Sequence, residues 1–162
     1  MSEKIKILIV DDEIKFLESI AKRLEMRGFE VAAASSGEKA INIAHTDKFD
    51  LALLDLKMPG LNGKEVLEIL KKEHKYLEVI ILTGHGSYES AVECTRLGAF
   101  GYLPKPYELD KLLQVLKNAY EARMKKKFAM DEDRMEKIMK IPIGSSPLSI
   151  LRKMRDLDDD KK

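Results

Sequence analysis

The chain has 162 residues, of which 44% are hydrophobic and 35% charged. This is enough apolar material for one sizeable core, and the regular mixture of apolar and charged residues excludes a disordered chain. Its 29 basic and 28 acidic residues give a net charge of +1, so no global field attracts nucleic acid or an anionic membrane, and we expect neither as a direct partner. The single cysteine excludes an internal disulfide, and the lack of a signal peptide or a long apolar run predicts a cytoplasmic protein.

Short apolar runs alternate with helix-periodic stretches along most of the chain, which is typical of βαβ units around a parallel sheet. The predicted strands are residues 5–10, 30–34, 51–54, 79–82 and 100–103. The predicted helices are residues 14–27, 37–45, 63–74 and 88–97, and a further one begins near Glu108. Because crossovers between parallel strands are right-handed, helices must cover both faces of the sheet. We therefore predict a doubly wound, five-stranded α/β fold.

The β-pattern ends at about Arg123, and a segment rich in proline, glycine and serine follows at residues 142–147. Ser146 followed by Pro147 suits the N-cap and first position of a helix. We predict one domain over residues 1–124 and, over residues 125–162, a helical or partly disordered extension without a recognisable output domain. Apolar residues recur along this extension and need a surface to cover them. We favour a partner protein or a second copy of the chain over the domain's own flank.

Polar side chains follow four of the five predicted strands. They are Asp11 and Asp12 after the first strand, Asp55 after the third, Thr83 after the fourth and Lys105 after the fifth. Each alone could be a helix cap, a turn residue or a solvated charge. Together they indicate one shared site, because ligands of open α/β sheets bind at the carboxyl ends of the strands.

Electrostatics indicates what this site needs. Two carboxylates about 4 Å apart repel each other by roughly 4 kcal/mol at an effective dielectric constant near 20. One lysine cannot cancel the repulsion among three, whereas Mg²⁺ accepts such oxygen ligands together with phosphoryl groups. A carboxylate beside a cation, with an ammonium and a hydroxyl available to phosphoryl oxygens, is suited to phosphoryl transfer to an aspartate.

Four motifs occur in order along the chain. They are Asp11-Asp12, Asp55 followed by Met58-Pro59-Gly60, Thr83-Gly84, and Tyr102-Leu103-Pro104-Lys105-Pro106. Over about residues 4–124 the chain resembles the receiver domain of bacterial two-component response regulators. The resemblance implies a flavodoxin-like sheet with strand order 2-1-3-4-5 and a phosphorylation-dependent switch rather than an enzyme.

The resemblance also implies a role for each matching residue at the acidic site. Asp55 would accept a phosphoryl group from a histidine kinase or a phosphotransfer protein. Asp12, Asp55 and the backbone carbonyl of Lys57 would hold Mg²⁺, while Asp11 would orient its water shell. Lys105 would pair with the acyl phosphate.

The same resemblance implies how the signal leaves the site. Thr83 would move to bind the phosphoryl group, and Tyr102 would swing inward behind it. The changed face of the last strand and helices would then contact a downstream protein or a second copy of the chain, with the tail contributing to that contact.

Two other functions use the same residues. A phosphatase or phosphotransferase would turn over external substrate through an aspartyl-phosphate, but haloacid-dehalogenase-like enzymes carry a second aspartate two residues after the nucleophile, where this chain has Lys57. The other hypothesis, a structural domain with an inactive site, is disfavoured because the complete set of site residues is present. A small phosphodonor distinguishes these hypotheses: stable label indicates the switch, continuous phosphate release the enzyme, and no label the inactive domain.

Overall fold

The computed structural model describes residues 4–84, 88–142 and 144–158 and shows a five-stranded parallel sheet covered by helices on both faces. The strands are β1 (Lys6–Val10), β2 (Glu30–Ala34), β3 (Leu51–Asp55), β4 (Glu78–Thr83) and β5 (Gly101–Pro104). The helices are α1 (Ile14–Glu25), α2 (Gly37–Thr46), α3 (Gly63–Glu73), α4 (Tyr88–Arg96), α5 (Leu109–Lys127), α6 (Glu132–Met139) and α7 (Pro147–Leu157). The strand order is β2-β1-β3-β4-β5, as the resemblance implies.

Most element bounds lie within one residue of the predicted ones, and the largest difference is at the end of α1. This helix ends at Glu25 instead of residue 27, because its last turn tightens before the chain reverses. The Arg27 N–H donates to the Leu24 carbonyl and the Gly28 N–H to the Glu25 carbonyl, both at 3.0 Å. Gly28 then adopts a φ of 95°, a conformation that a residue without a Cβ adopts at little cost.

The central strands divide their side chains between two hydrophobic clusters. In β1, Ile7 and Ile9 lie in the cluster beneath α1 and α5, whereas Leu8 and Val10 lie in the one beneath α2 and α3. β3 and β4 alternate in the same way. Because successive strand side chains point to opposite faces, continuous apolar runs are what a sheet buried on both faces requires.

The C-terminal helices pack on the domain itself, which corrects the expectation that their apolar residues contact a partner or a second copy. Helix α7 packs along α5. Five apolar residues beyond residue 127 are buried in the cluster beneath α1 and α5: Phe128, Ile138, Ile150, Leu151 and Met154. Because of this cover, Tyr120 and Met124 on α5 are fully buried as well. Ser146 caps α7 by accepting from the Ser149 N–H, as predicted.

A largely buried group of four charged side chains and one tyrosine anchors this extension at the amino end of the sheet. We call Asp50, Tyr120, Arg123, Lys127 and Asp158 the amino-end cluster. Asp158, just after α7, accepts from Arg123 Nε at 3.0 Å and from Lys127 Nζ at 2.7 Å, and it also accepts from the Tyr120 hydroxyl. Arg123 Nη2 lies 3.0 Å from Asp50 Oδ1, which ties α5 to the chain before β3. The last turn of α7 is therefore joined to the sheet through paired charges.

No helix within the described ranges is long and apolar enough to cross a membrane.

Candidate functional site

Three aspartates meet where β1 and β3 end. Val10 pairs with Leu54 in the parallel register, so the residues that follow this pair are neighbours. Asp11, Asp12 and Asp55 each offer a carboxylate oxygen, and these oxygens lie within 4.8 Å of one another. Asp11 and Asp55 are buried, with 1% and 6% of their surface exposed, whereas Asp12 is exposed. The three carboxylates thus form an acidic pocket with one side open to solvent.

Backbone N–H groups orient the two buried carboxylates. The Glu13 N–H donates to Asp11 Oδ1 at 2.9 Å, and the Lys57 N–H donates to Asp55 Oδ1 at 3.2 Å. Each bond spans two residues, the local pattern by which an aspartate stabilises its own turn. In both aspartates the other oxygen, Oδ2, is the one nearer to Lys105.

A glycine allows the β3–α3 loop to lie close to the backbone of Asp55. A Cβ on Gly63 would lie 2.5 Å from the Leu56 Cα and 2.6 Å from the Asp55 carbonyl oxygen, both of which are backbone atoms. The Gly63 N–H donates to the Leu56 carbonyl at 3.0 Å. Any larger residue would therefore displace the backbone that carries Asp55.

Lys105 enters the pocket from the segment after β5. Its Nζ lies 2.6 Å from Asp11 Oδ2, 3.4 Å from Glu13 Oε1 and 3.5 Å from Asp55 Oδ2. The side chain is only 13% exposed. A single ammonium thus bridges carboxylates that belong to two different strand ends.

The pKa of Asp55 is raised above that of an ordinary aspartate. Burial is the main cause, because it disfavours the charged form, and the neighbouring Asp11 adds to it. The hydrogen bond from the Lys57 N–H and the charge of Lys105 lower this pKa but do not outweigh burial. The pKa of Lys105 is also raised: burial opposes its charge, but the hydrogen bond and charge of Asp11, together with Asp55 and Glu13, outweigh burial.

The pocket has an excess of negative charge. Among the residues that the structure describes, Asp11, Glu13 and Asp55 contact Lys105, and Asp12 lies beside Asp11 and Asp55; we call these four acids the acidic cluster. One ammonium leaves three formal negative charges uncompensated. Clustered carboxylate oxygens, two of them buried and one facing solvent, suit a hard divalent cation such as Mg²⁺, which binds a few protein oxygens and keeps other positions for water or phosphoryl oxygens. The residues present therefore fit a Mg²⁺ site.

The remaining predicted residues lie on the neighbouring strands. Thr83 ends β4, but its side chain lies outside the described part of the structure. Tyr102 pairs with Ile81 in the β4–β5 register, is partly buried and packs against the cluster beneath α2 and α3. The Lys57 backbone lies beside Asp55 through its N–H, and the role of its carbonyl as a metal ligand stays a prediction.

Three further side chains complete the surroundings of Lys105, and sequence reasoning assigned them no role. Glu13 contacts the ammonium directly, as given above. The Phe16 ring lies beneath the ammonium, and Tyr107 packs edge-on against that ring. The sequence signals were present but ambiguous, since Glu13 extends the acidic run and Phe16 fits the apolar stripe of α1.

Comparison with known proteins identifies the same unit. A family model described as the response regulator receiver domain matches residues 7–117. The putative NtrX-like response regulator of Rickettsia felis is 35% identical over 130 residues, which cover 79% of this chain and 27% of that protein. The chain therefore spans about a quarter of the length of such curated relatives.

Two solved structures that resemble this fold cover different shares of the chain. A CheY-like response regulator receiver domain protein from Methanospirillum hungatei superposes with a TM-score of 0.74 and 33% identity, covering 76% of this chain and 99% of that one. NtrX from Brucella abortus, in a complex with ATP, has a TM-score of 0.74 and 26% identity, covering 97% of this chain and 41% of that one. The second likeness extends into the C-terminal helices.

Proposed function

The chain belongs to the response regulator receiver domain family, and we propose that it is a phosphorylation-dependent switch that accepts a phosphoryl group on Asp55 from a histidine kinase or a phosphotransfer protein. The observation that carries this proposal is the geometry around Asp55. Its carboxylate ends β3 beside two further aspartates, and Lys105 Nζ lies 3.5 Å from its Oδ2. Family members act mostly as signalling switches and not as enzymes.

In the proposed transfer, an oxygen of Asp55 forms a bond to phosphorus while the phosphorus–nitrogen bond of a phosphohistidine breaks. The imidazole leaves and takes up a proton from solvent. Lys105, whose ammonium lies 3.5 Å from Asp55, would pair with the phosphoryl oxygens and with the charge that develops on them. The Lys57 N–H keeps its hydrogen bond to Oδ1 of Asp55. Oδ2, the oxygen nearer to Lys105, would then attack the phosphorus.

We propose that Asp12, Asp55 and the Lys57 carbonyl bind Mg²⁺, with Asp11 orienting the water around it. Bound there, Mg²⁺ would neutralise the excess charge of the acidic cluster and admit a phosphoryl group that the carboxylates alone would repel. The exposed position of Asp12 supports this assignment, since the cation and its water must be reached from solvent.

The output is proposed to pass through Thr83 and Tyr102 to the face formed by β5 and its neighbouring helices. A phosphoryl group changes this face only to the extent that it binds one arrangement of Thr83 better than the other. We therefore predict that Thr83→Ala still takes the phosphoryl group but loses the phosphorylation-induced amide shifts near Tyr102. Unchanged shifts in that variant would contradict this link.

We propose residues 1–124 as the phosphoacceptor unit and residues 125–162 as its helical extension. Burial of the extension on α5 and the sheet supports an intramolecular role for its apolar side. The contact with a downstream protein or a second copy then belongs to the last receiver face. A pull-down with and without phosphodonor tests for this phosphorylation-dependent contact.

Incubation with a small phosphodonor and Mg²⁺ tests the central proposal. We expect stable label of one phosphoryl group per chain, measured by mass spectrometry, and none in Asp55→Asn, because an amide does not form the acyl phosphate. Asp158→Asn is the matched control, since it changes a buried aspartate at the other end of the sheet. Equal labelling of Asp55→Asn and the wild type would contradict the assignment, and continuous phosphate release would favour the phosphatase alternative.

A further inference from the structure

An aromatic ring on α1 lies directly beneath the lysine of the site. The Lys105 Nζ is 4.1 Å from the centroid of the Phe16 ring, well within the range at which a cation is attracted to an aromatic face. We propose that Phe16 is a positioning residue that holds the Lys105 ammonium beside Asp55 by a cation–π contact. This inference rests on the proposed phosphoryl transfer to Asp55.

The ring itself is held in place. Tyr107 packs edge-on against Phe16, with the ring centroids 6.1 Å apart and an interplanar angle of 85°. This T-shaped geometry is a favoured arrangement of two aromatic rings. Both side chains also pack against the hydrophobic cluster beneath α1 and α5. Phe16 therefore offers Lys105 a fixed surface, because its orientation is set by the core and by Tyr107.

The contact matters because the carboxylates compete for the ammonium. Lys105 lies 2.6 Å from Asp11 but 3.5 Å from Asp55, and Glu13, which is 68% exposed, lies 3.4 Å away on the solvent side. Charge alone would let the flexible lysine follow either of its closer partners. The Phe16 ring attracts the cation without accepting a proton and takes the place of water around it. The ammonium is thereby kept within reach of Asp55 and of the phosphoryl group that Asp55 would carry.

The exchange Phe16→Leu tests this role, because it removes the aromatic face and keeps an apolar side chain of similar reach. We expect label uptake from the phosphodonor to slow by about three- to tenfold, the range that corresponds to a partly desolvated cation–π contact. Phe16→Trp, which restores an aromatic face, should return the rate to within about twofold of the wild type. Phe100→Leu makes the same exchange on a partly exposed ring before β5 and should leave the rate unchanged.

A double-mutant cycle separates an effect through Lys105 from a general loss of packing. In a Lys105→Gln background, Phe16→Leu should cause no further slowing. Equal slowing in both backgrounds, or Phe16→Trp as slow as Phe16→Leu, would overturn the inference while leaving phosphorylation of Asp55 intact. A wild-type chain that takes no label would instead overturn the proposed function and the role of Phe16 with it. Thermal unfolding of every variant verifies that the compared proteins are folded.

Discussion

Charged side chains gather at both ends of the sheet, and the two groups differ in balance and exposure. In the amino-end cluster, Asp50 and Asp158 meet Arg123 and Lys127 at 2.7–3.0 Å, so two acids face two bases. Asp158 and Arg123 are both buried. In the acidic cluster at the carboxyl end, Lys105 contacts three of the four acids, and the pocket opens to solvent through the exposed Asp12 and Glu13.

The pKa values of one aspartate from each cluster show what this difference means. Burial by itself raises the pKa of Asp158, but the charge of Arg123 and the hydrogen bonds from Lys127 and Tyr120 outweigh it and lower that pKa. For Asp55, burial outweighs the Lys57 N–H and Lys105, and the pKa is raised. The charges and hydrogen bonds around Asp158 therefore stabilise its ionised form, although burial still raises the pKa of Asp50 in the same cluster, whereas Asp55 has too little positive charge around it to offset burial. We infer that the first cluster serves stability and the second serves binding.

Deleting residues 129–162 should have the largest effect. Burial of Leu151 and Met154 alone is worth about 3 to 6 kcal/mol, against a total stability of about 5 to 15 kcal/mol for a typical domain. The deletion also removes Asp158 from the amino-end cluster. We expect a large fall in the urea midpoint of unfolding, or an unfolded chain. Met130→Ser, at a side chain that is 97% exposed, is the control, and an unchanged midpoint in the truncated chain would contradict the observed packing.

Removing one aspartate from each cluster should change stability by different amounts. Asp158→Ala leaves Arg123 buried without one of its acids, and we expect a loss of about 3 kcal/mol in the free energy of unfolding. Asp12→Ala relieves repulsion at an exposed position, so without divalent metal it should be neutral or slightly stabilising. Urea unfolding measures both in the presence of a chelator. Equal destabilisation by the two variants would mean that the clusters do not differ as described.

Magnesium should stabilise the wild type through the acidic cluster. A ligand that binds only the folded chain adds about 2.7 kcal/mol at a hundredfold excess over its Kd. We expect the Tm to rise across a Mg²⁺ titration and to stay constant in Asp12→Ala. Asp158→Ala should retain the rise from a lower starting value. A constant Tm in the wild type would argue against a metal site at the acidic cluster.

The smallest expected effect is that Asp158 and Asp55 change the pH dependence of the free energy of unfolding in opposite directions. The folded pKa of Asp158 is below the 3.8 of an unperturbed aspartate, so on acidification the unfolded chain takes up its proton first and the free energy of unfolding falls. The folded pKa of Asp55 is above 3.8, so the folded chain takes up that proton first and the free energy of unfolding rises.

Two variants isolate these contributions. Asp158→Asn should make the acid-side decrease in the free energy of unfolding shallower, and Asp55→Asn should make it steeper. Urea unfolding between pH 3 and pH 6 measures both slopes. Slopes that change in the same direction in the two variants would show that the pKa values of Asp158 and Asp55 are not shifted in opposite directions.

The local elements were largely predictable, because each is encoded by neighbouring residues. The strand at residues 30–34 and the cap at Ser146 agree with the structure, as do the starts of α1, α2, α3 and α4. The proximity of Asp11, Asp12, Asp55 and Lys105 also followed from the strand pattern, since parallel strands bring their carboxyl ends to one edge. The differences in bounds are small, and the largest arises where α1 changes its hydrogen bonding in its last turn.

The surface that covers the C-terminal helices could not be predicted, because an apolar stripe is the same whether it faces its own domain or a partner. Sequence reasoning favoured a partner, whereas Ile150, Leu151 and Met154 are buried against α5 and the core beneath it. Asp158 carried no signal either, as it stands in a run of three aspartates near the C-terminus. Its role depends on Arg123 and Tyr120, which are more than thirty residues away in the chain.

We could predict the α/β alternation, the receiver motifs and the polar residues at the strand ends from the sequence, because these depend on side-chain periodicity and on residues near one another in the chain. The folded protein was needed to show which charges are balanced and which are in excess, and that Phe16 lies beneath Lys105. The physical reason is that pairing, burial and pKa depend on distances between residues far apart in sequence. Asp55 and Asp158 are the same residue type, and their surroundings alone give one a raised and the other a lowered pKa.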